Sequence, residues 1–446
     1  MYRIIKKAIE NKNSAFLQRF FKALNIDVNL KDTEGNTLLM KAAQEGVLPI
    51  VELLIQNECA LDKQNNEGVS ALMMAAENGH KEVADYLIRQ GAELDFSDVS
   101  GETALMKAIQ NNHEEIVFSL LNAQADVNIE NQFNQTPLII ASYQGQADLV
   151  SALLRQTNDI NNQDDDGETA LMCAVQEAHK EVVSLLLKAG AEVNIQEETG
   201  KTALMMAVKK GYFDIAGELL RAGADPNIQD CDGETALMIA TQEGEVSLVK
   251  ALLKKGADVN KKDKDDISCL SWAFICQQNQ IIDLLIQAGA ELTDEFAGLV
   301  LNWAILNNDT SLVEKMVQAG MDLNLIEEED YSLLSFAALY GELEMVQELI
   351  EWGAEVNKKD DFGATALIYA ADNNKEASVK KLIEMGADVL IKDENGNDAF
   401  NLAMKKGHQN IAHLIKEAAK KQVSKRRIAS QQAGQRAQSV QRQNGI

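Results

Sequence analysis

Prolines number only 3 in 446 residues, and Phe, Trp and Tyr together make up 5%. A core of this composition cannot lean on rings, and few positions are barred from a helix by a missing N–H. Ala, Leu, Ile, Val and Met must fill it, a set that favours helices. The five cysteines (Cys59, Cys173, Cys231, Cys269, Cys276) are an odd number with no C-x-x-C spacing, which argues against a disulfide framework or a zinc site. Reduced thiols in a cytosol fit better. No run approaches the roughly 18 apolar residues of a membrane span. Met1 to Phe16 carries Lys and Glu through its apolar positions, unlike a signal peptide. The expectation is a soluble cytoplasmic protein.

What the chain has in excess is negative charge, a net −27. The last stretch, residues 419–446, holds Lys420, Lys421, Lys425, Arg426, Arg427, Arg436 and Arg442 and no acid, so the remainder is more acidic still. Such a body repels phosphate backbones, which argues against nucleic acid as its ligand. The plain reading of the charge is that it keeps a long molecule soluble.

A Thr or Ser recurs every 33 residues, at Thr37, Ser70, Thr103, Thr136, Thr169, Thr202, Thr235 and Ser268, and again at Ser332 and Thr365, with Asp398 in the same register. Between Trp272 and Trp303 the spacing shortens to 31. Within a unit, Leu105, Ala108 and Ile109, then Ile116, Leu120 and Leu121, recur near helical spacing, so two short helices face each other. Thr103 and its equivalents open the first helix, where a hydroxyl can satisfy free backbone N–H groups. The Asp-x-x-Gly segments before them, such as Asp98 to Gly101, carry turn chemistry.

These units resemble the ankyrin repeats, a family of 33-residue turn-helix-helix units. The matching pieces are Gly-x-Thr-x-Leu at most helix starts, Gly79-His80 and Gly407-His408, the Leu-Leu pairs, and Gly-Ala-Asp-Val-Asn at Gly256 to Asn260. Where the family usually has Thr-Pro-Leu-His, this chain has mostly Thr-Ala-Leu-Met, as at Thr169 to Met172, exchanging a Thr to His hydrogen bond for a flexible thioether contact. The resemblance implies an all-α repeat solenoid, an ankyrin-repeat stack of about thirteen units with its caps. Residues 1–31 form an N-terminal capping repeat with Arg3, Lys6, Lys7 and Glu10 outward. Residues 32–292 are regular repeats, and 293–324 a short irregular one that lacks the turn and the Thr and is the expected place of a bend or a divided cooperative unit. Residues 325–390 are again repeats, 391–419 a C-terminal cap, and 420–446 a basic tail without regular structure. The tail reads as a solvated segment, with an import signal, an anchor for acidic lipid or an electrostatic latch onto the body as alternatives.

Catalysis needs a constellation, and none is found. His80, His113, His179 and His408 share one repeat register, leaving only His413. No His-x-x-x-His, G-x-S-x-G, phosphate loop or G-x-G-x-x-G occurs. Asn162 to Gly167 mimics the start of a calcium loop, but Cys173 stands where calcium demands a bidentate Glu. The chain is expected to be no enzyme, with no cofactor and no metal.

In ankyrin-like units partners are met by residues just before the Thr and seven to eight after it. Over repeats 1 to 7, counted from Thr37, these are Glu34, Asn36, Glu45, Glu67, Glu102, Asp165, Glu168, Glu177, Asp232, Glu234 and Glu243, interrupted by the aromatic pair Phe133 and Tyr143 and by Lys201, Lys209 and Lys210. From repeat 8 they turn apolar: Ile267, Ile275, Leu306, Tyr331, Leu339, Tyr340 and Phe362. Aromatics within a water-excluding rim favour binding hot spots. A second stripe, Trp272, Trp303, Phe336 and Tyr369, reads as core stacking. The expected function is a monomeric scaffold or adaptor binding another protein, a basic one among the candidates, through this concave face. The alternatives are a tether whose basic tail binds anionic membrane or nucleic acid, and a secreted bacterial effector acting on host proteins.

Overall fold

The computed structural model describes residues 2–23, 27–291, 296–324 and 331–443. These form 26 helices and no strand, with four isolated bridges that close turns, as between Gln163 and Thr169. The repeats are numbered 1 to 12 from Thr37 to Asp398, after an N-terminal helix pair at Tyr2–Glu10 and Ser14–Ala23. The chain divides into two compact units, Met1–Asp258 with repeats 1 to 7 and Val259–Ile446 with repeats 8 to 12. The division thus falls ahead of repeat 8, not at the irregular repeat 9. That repeat has an eleven-residue first helix, Phe296–Leu306, and the bend expected there lies partly outside the described residues.

A regular repeat pairs a seven-residue helix such as Ala104–Gln110 with a nine-residue helix such as Glu114–Asn122. Helices this short are marginal alone. They persist because Leu105, Met106, Ala108 and Ile109 on one, and Ile116, Val117, Leu120 and Leu121 on the other, are all buried. Within each unit first helices pack on first helices and second on second, so every repeat completes its neighbour's core.

The turn before each first helix hangs on one side chain. Asp98 Oδ1 accepts the N–H groups of Ser100 at 2.9 Å and Glu102 at 3.0 Å. Asp32, Asp164, Asp230, Asp263 and Asp360 accept the amides two and four residues on in the same way, as do Asn65 and Asn131. Thr103 then caps the helix, its hydroxyl accepting the Met106 N–H at 3.3 Å. In repeats 1, 2 and 7 the cap is reciprocal: the Thr37, Ser70 and Thr235 amides donate to the thioethers of Met40, Met73 and Met238 at 3.3 to 3.4 Å. The methionines that replace the family's histidine therefore close the corner in their own way.

Two further ties cross from repeat to repeat. Side chains near the repeat end accept an amide 31 residues later, as Asn194 does from Asp225 at 2.9 Å and Asn357 from Asp388 at 2.7 Å. The four registered histidines meet a carbonyl 36 residues earlier, His80 at Gln44, His113 at Glu77, His179 at Tyr143 and His408 at Asp372, at 2.9 to 3.2 Å. His113 fits only because Gly79 precedes it: a Cβ on Gly79 would stand 2.5 Å from His113 Cε1.

The remaining oxygen of the turn aspartate looks toward the residue nine positions later. Lys107 Nζ lies 2.9 Å from Asp98 Oδ2 and 3.0 Å from Glu102, Trp272 Nε1 donates to Asp263 at 3.1 Å, and Tyr369 Oη donates to Asp360 at 2.6 Å. Trp272 and Tyr369, read from sequence as core stacking, are thus half-buried donors to their own turns. Burial pushes the Lys107 ammonium down, but its bonds to Asp98 and Glu102 outweigh that and hold it above the ordinary lysine value.

The tail corrects a second expectation. Instead of losing regular structure near Lys421, the last helix runs from Gln409 to Gln443, in keeping with the helix propensity of its Ala, Gln, Lys and Arg. Gln422 lies against repeat 11, accepting the Val389 N–H at 3.2 Å and donating to the Ala387 carbonyl at 2.7 Å, and Arg426 pairs with Asp388.

Two predictions follow from this geometry. Lys107→Met strands two carboxylates in a largely buried site and should cost about 3 kcal/mol in urea unfolding at pH 7. Because the ammonium's folded pKa is raised, its contribution is complete below the unfolded lysine value, about 10.4, and disappears as pH rises through the folded one. The wild type and the variant should therefore converge only in strong alkali. Gly79→Ala should cost roughly 2 kcal/mol, combining left-handed strain with loss of the His113 bond. Gly91→Ala, at φ +83° with nothing within 4 Å of its Cβ, should cost only the strain, about 1 kcal/mol.

Candidate partner-binding surfaces

In the second unit, four of the expected contact residues are large, apolar and open: Ile275 is 41% exposed, Leu306 45%, Tyr340 46% and Phe362 49%. Ile275 and Leu306 end the first helices of repeats 8 and 9, Tyr340 that of repeat 10, and Phe362 sits at the turn of repeat 11. Tyr340 is braced by Phe336, whose ring centroid is 5.0 Å away, and its carbonyl accepts a 2.7 Å bond from Lys375. Tyr331 and Leu339 are half-buried, and Tyr331 meets Tyr369 edge to face at 5.0 Å.

Ile267 does not belong to this surface, being only 6% exposed. The reason lies in the register just before the Thr, which points along the first helix rather than out. In repeats 3, 5 and 7 a Glu there accepts from a Gln eight residues later: Glu102 from Gln110 at 2.6 Å, Glu168 from Gln176, and Glu234 from Gln242 at 2.6 Å. Ile267 and Ile275 occupy those two positions in repeat 8, and Tyr331 and Leu339 do so in repeat 10. Conversely, Trp303, read as part of the core stripe, is 44% exposed. The aspartate nine residues before it, Asp294, lies outside the described residues.

In the first unit the same face is polar. Glu34, Glu67, Asp165, Glu177, Asp232 and Glu243 are exposed, whereas Glu45, Glu102, Glu168 and Glu234 are half-buried and Asn36 is buried against Asp32 and Glu34. Of the basic interruption, Lys209 is spent on Glu243 at 2.6 Å. Phe133 and Tyr143 are both open. Tyr143 borders a groove of about 470 Å³ whose other walls include Gln110, Gln144, Asp164, Asp166, Glu168 and Cys173. In that groove Cys173 Sγ stands 3.8 Å from Glu168 Oε2. Burial, then the Glu168 and Asp164 charges, push its thiol well above the ordinary range, and burial also lifts the Glu168 carboxyl against the bond from Gln176.

No helix among the described residues is long and apolar enough to cross a membrane. No curated protein matches the chain. Among solved structures it is similar to the ankyrin repeat domain of Bcl-3, described as a unique member of the IkappaB protein family, at 28% identity and a TM-score of 0.45, over 49% of this chain and 99% of that one. The family model for ankyrin repeats in three copies matches in overlapping windows, the first at residues 5–98 and the last at 334–426. With the repeated turn, the capped helix pair and these windows all in agreement, the chain belongs to the ankyrin repeat family.

Proposed function

We propose that this protein is a cytoplasmic scaffold or adaptor that seats a protein partner on repeats 8 to 11, with Ile275, Leu306, Tyr340 and Phe362 as anchors. Ankyrin repeats are generally protein-interaction modules. The observation that supports the placement is a change of chemistry at fixed positions: registers that are mostly polar in repeats 1 to 7, with Gln110 where Ile275 stands, Glu243 where Tyr340 stands and Asp232 where Phe362 stands, carry open apolar side chains here. Exposed apolar positions of this size are costly in water and become favourable once covered. The partner is basic, since the acidic residues of repeats 1 to 7 would steer a cationic surface and repel an anionic one.

The tether reading draws less support. Of the tail's cations, Lys420 is paired with Glu417 at 2.6 Å and Arg426 with Asp388, which leaves a smaller basic patch for a membrane or nucleic acid. The bacterial-effector reading gains no residue of its own. The protein acts as a monomer in this proposal, because one copy carries both the anchors and the acidic face.

Affinity capture with the full chain tests the placement. Tyr340 and Phe362 are half-exposed, so Tyr340→Ala with Phe362→Ala should leave the unfolding midpoint nearly unchanged. Truncating one hot-spot aromatic costs about 2 kcal/mol, roughly 30-fold in affinity. The double variant should therefore lose its main basic partner while wild type retains it. Equal recovery of every partner by both would refute repeats 8 to 11 as the anchor.

A further inference from the structure

Repeats 3 and 5 build the same cage of oxygens and fill it differently. In repeat 3, Asp98 and Glu102 both lie in the turn before the first helix, Gln110 donates to Glu102 Oε1, and the Lys107 ammonium bonds both carboxylates. In repeat 5, Asp164, Glu168 and Gln176 occupy the corresponding positions, and Gln176 donates to the same Oε1. The residue nine after the aspartate is Cys173 instead of lysine, so the cage loses its built-in cation and acquires a thiol that is 3% exposed. Ligand atoms of Asp164, Glu168 and Cys173 all lie within 4.8 Å of one another, and the cage opens into the groove beside Tyr143.

We propose that Asp164, Glu168 and Cys173 bind a thiophilic divalent cation of the zinc class, seated where repeat 3 holds the Lys107 ammonium. Two independent observations point to a cation: the chain itself places one in the equivalent cage, and the substitution that removes it supplies a sulfur ligand. Zinc takes thiolate and carboxylate ligands together and is content with three protein ligands and one open position. The groove provides that open position. Calcium is disfavoured, because the ligand that replaces its bidentate Glu is a sulfur.

Binding is a proton exchange. The cation forms a bond to Cys173 Sγ as the S–H bond breaks, and the proton leaves to solvent, as does any proton on Glu168. Affinity therefore rises with pH. When occupied, the site ties the turn of repeat 5 to its first helix, as Lys107 ties repeat 3.

Cobalt(II) reports on this directly, because a thiolate ligand gives it a sulfur-to-metal charge-transfer band. The full chain, kept reduced with a phosphine, should bind about one equivalent with that band, and zinc should bleach it. Cys173→Ser should abolish the band, and Glu168→Gln should weaken binding at least tenfold. Cys173→Lys should abolish it as well while raising the unfolding midpoint, since it installs the repeat 3 arrangement and so keeps the fold. Cys231→Ser with Cys276→Ser, which removes the two exposed thiols, should leave the band intact. No band in the wild type, a band that survives in Cys173→Ser, or tighter binding of calcium than of zinc would each overturn the proposal.

Discussion

Repeats 1 to 8 and 11 each depend on one carboxylate or amide side chain in the turn that accepts two backbone N–H groups. In repeat 3 that is Asp98, and by holding the amides of Ser100 and Glu102 it fixes where Thr103 emerges and therefore where the helix begins. The constraint is severe because the helices are short. A seven-residue helix stands only if its start is capped and its face is covered by the next repeat. Cover in turn requires that successive turns repeat the same geometry, which the 31-residue amide bonds enforce, as from Asp225 to Asn194. Local turn chemistry and stacking are thus one condition seen at two scales.

Once one oxygen of the turn aspartate is saturated, the other is left for the chain to deal with, and it does so in several ways. Lys107 answers with charge, Trp272 and Tyr369 with neutral donors, and Tyr2 with a hydroxyl 3.2 Å from Asp32. In repeat 7 the position is Ile239, and Asp230 Oδ2 is buried without a hydrogen-bond partner. An unsatisfied acceptor of this kind costs about 1–3 kcal/mol. A stack can carry such a cost in one repeat because stability is summed over repeats and their interfaces.

The fold was legible because its determinants are strictly periodic. The 33-residue Thr series opens the first helices, although Thr365 does so without a side-chain bond, and the four histidines that share a register share one role. What was not legible depends on direction rather than period. Position along the chain placed Ile267 beside the contact residues, yet its register points along the helix, and only the Glu–Gln pairs of repeats 3, 5 and 7 reveal that. Trp303 was grouped with Trp272 because they share a register, although Trp303 is 44% exposed and Trp272 is half-buried. The tail's helix was hidden for another reason: its apolar periodicity is weak, while its propensity and its bonds to Ala387, Val389 and Asp388 are enough to extend the last helix past residue 420.

The same pair of positions shows how a repeat stack can change its surface without changing its frame. Glu102 with Gln110 satisfies two polar groups against each other and leaves a wettable edge. Substituting Ile267 with Ile275 buries the first residue and turns the second outward as an apolar contact, while the Asp263 turn bonds and the Ser268 cap stay as they are. The two positions also change singly, as in repeat 2, where Val69 precedes the cap and an exposed Glu77 follows eight residues later, so the frame tolerates an exchange at either position. Repeats with nearly identical turns and helices can therefore present an acidic face in one unit and an aromatic one in the other.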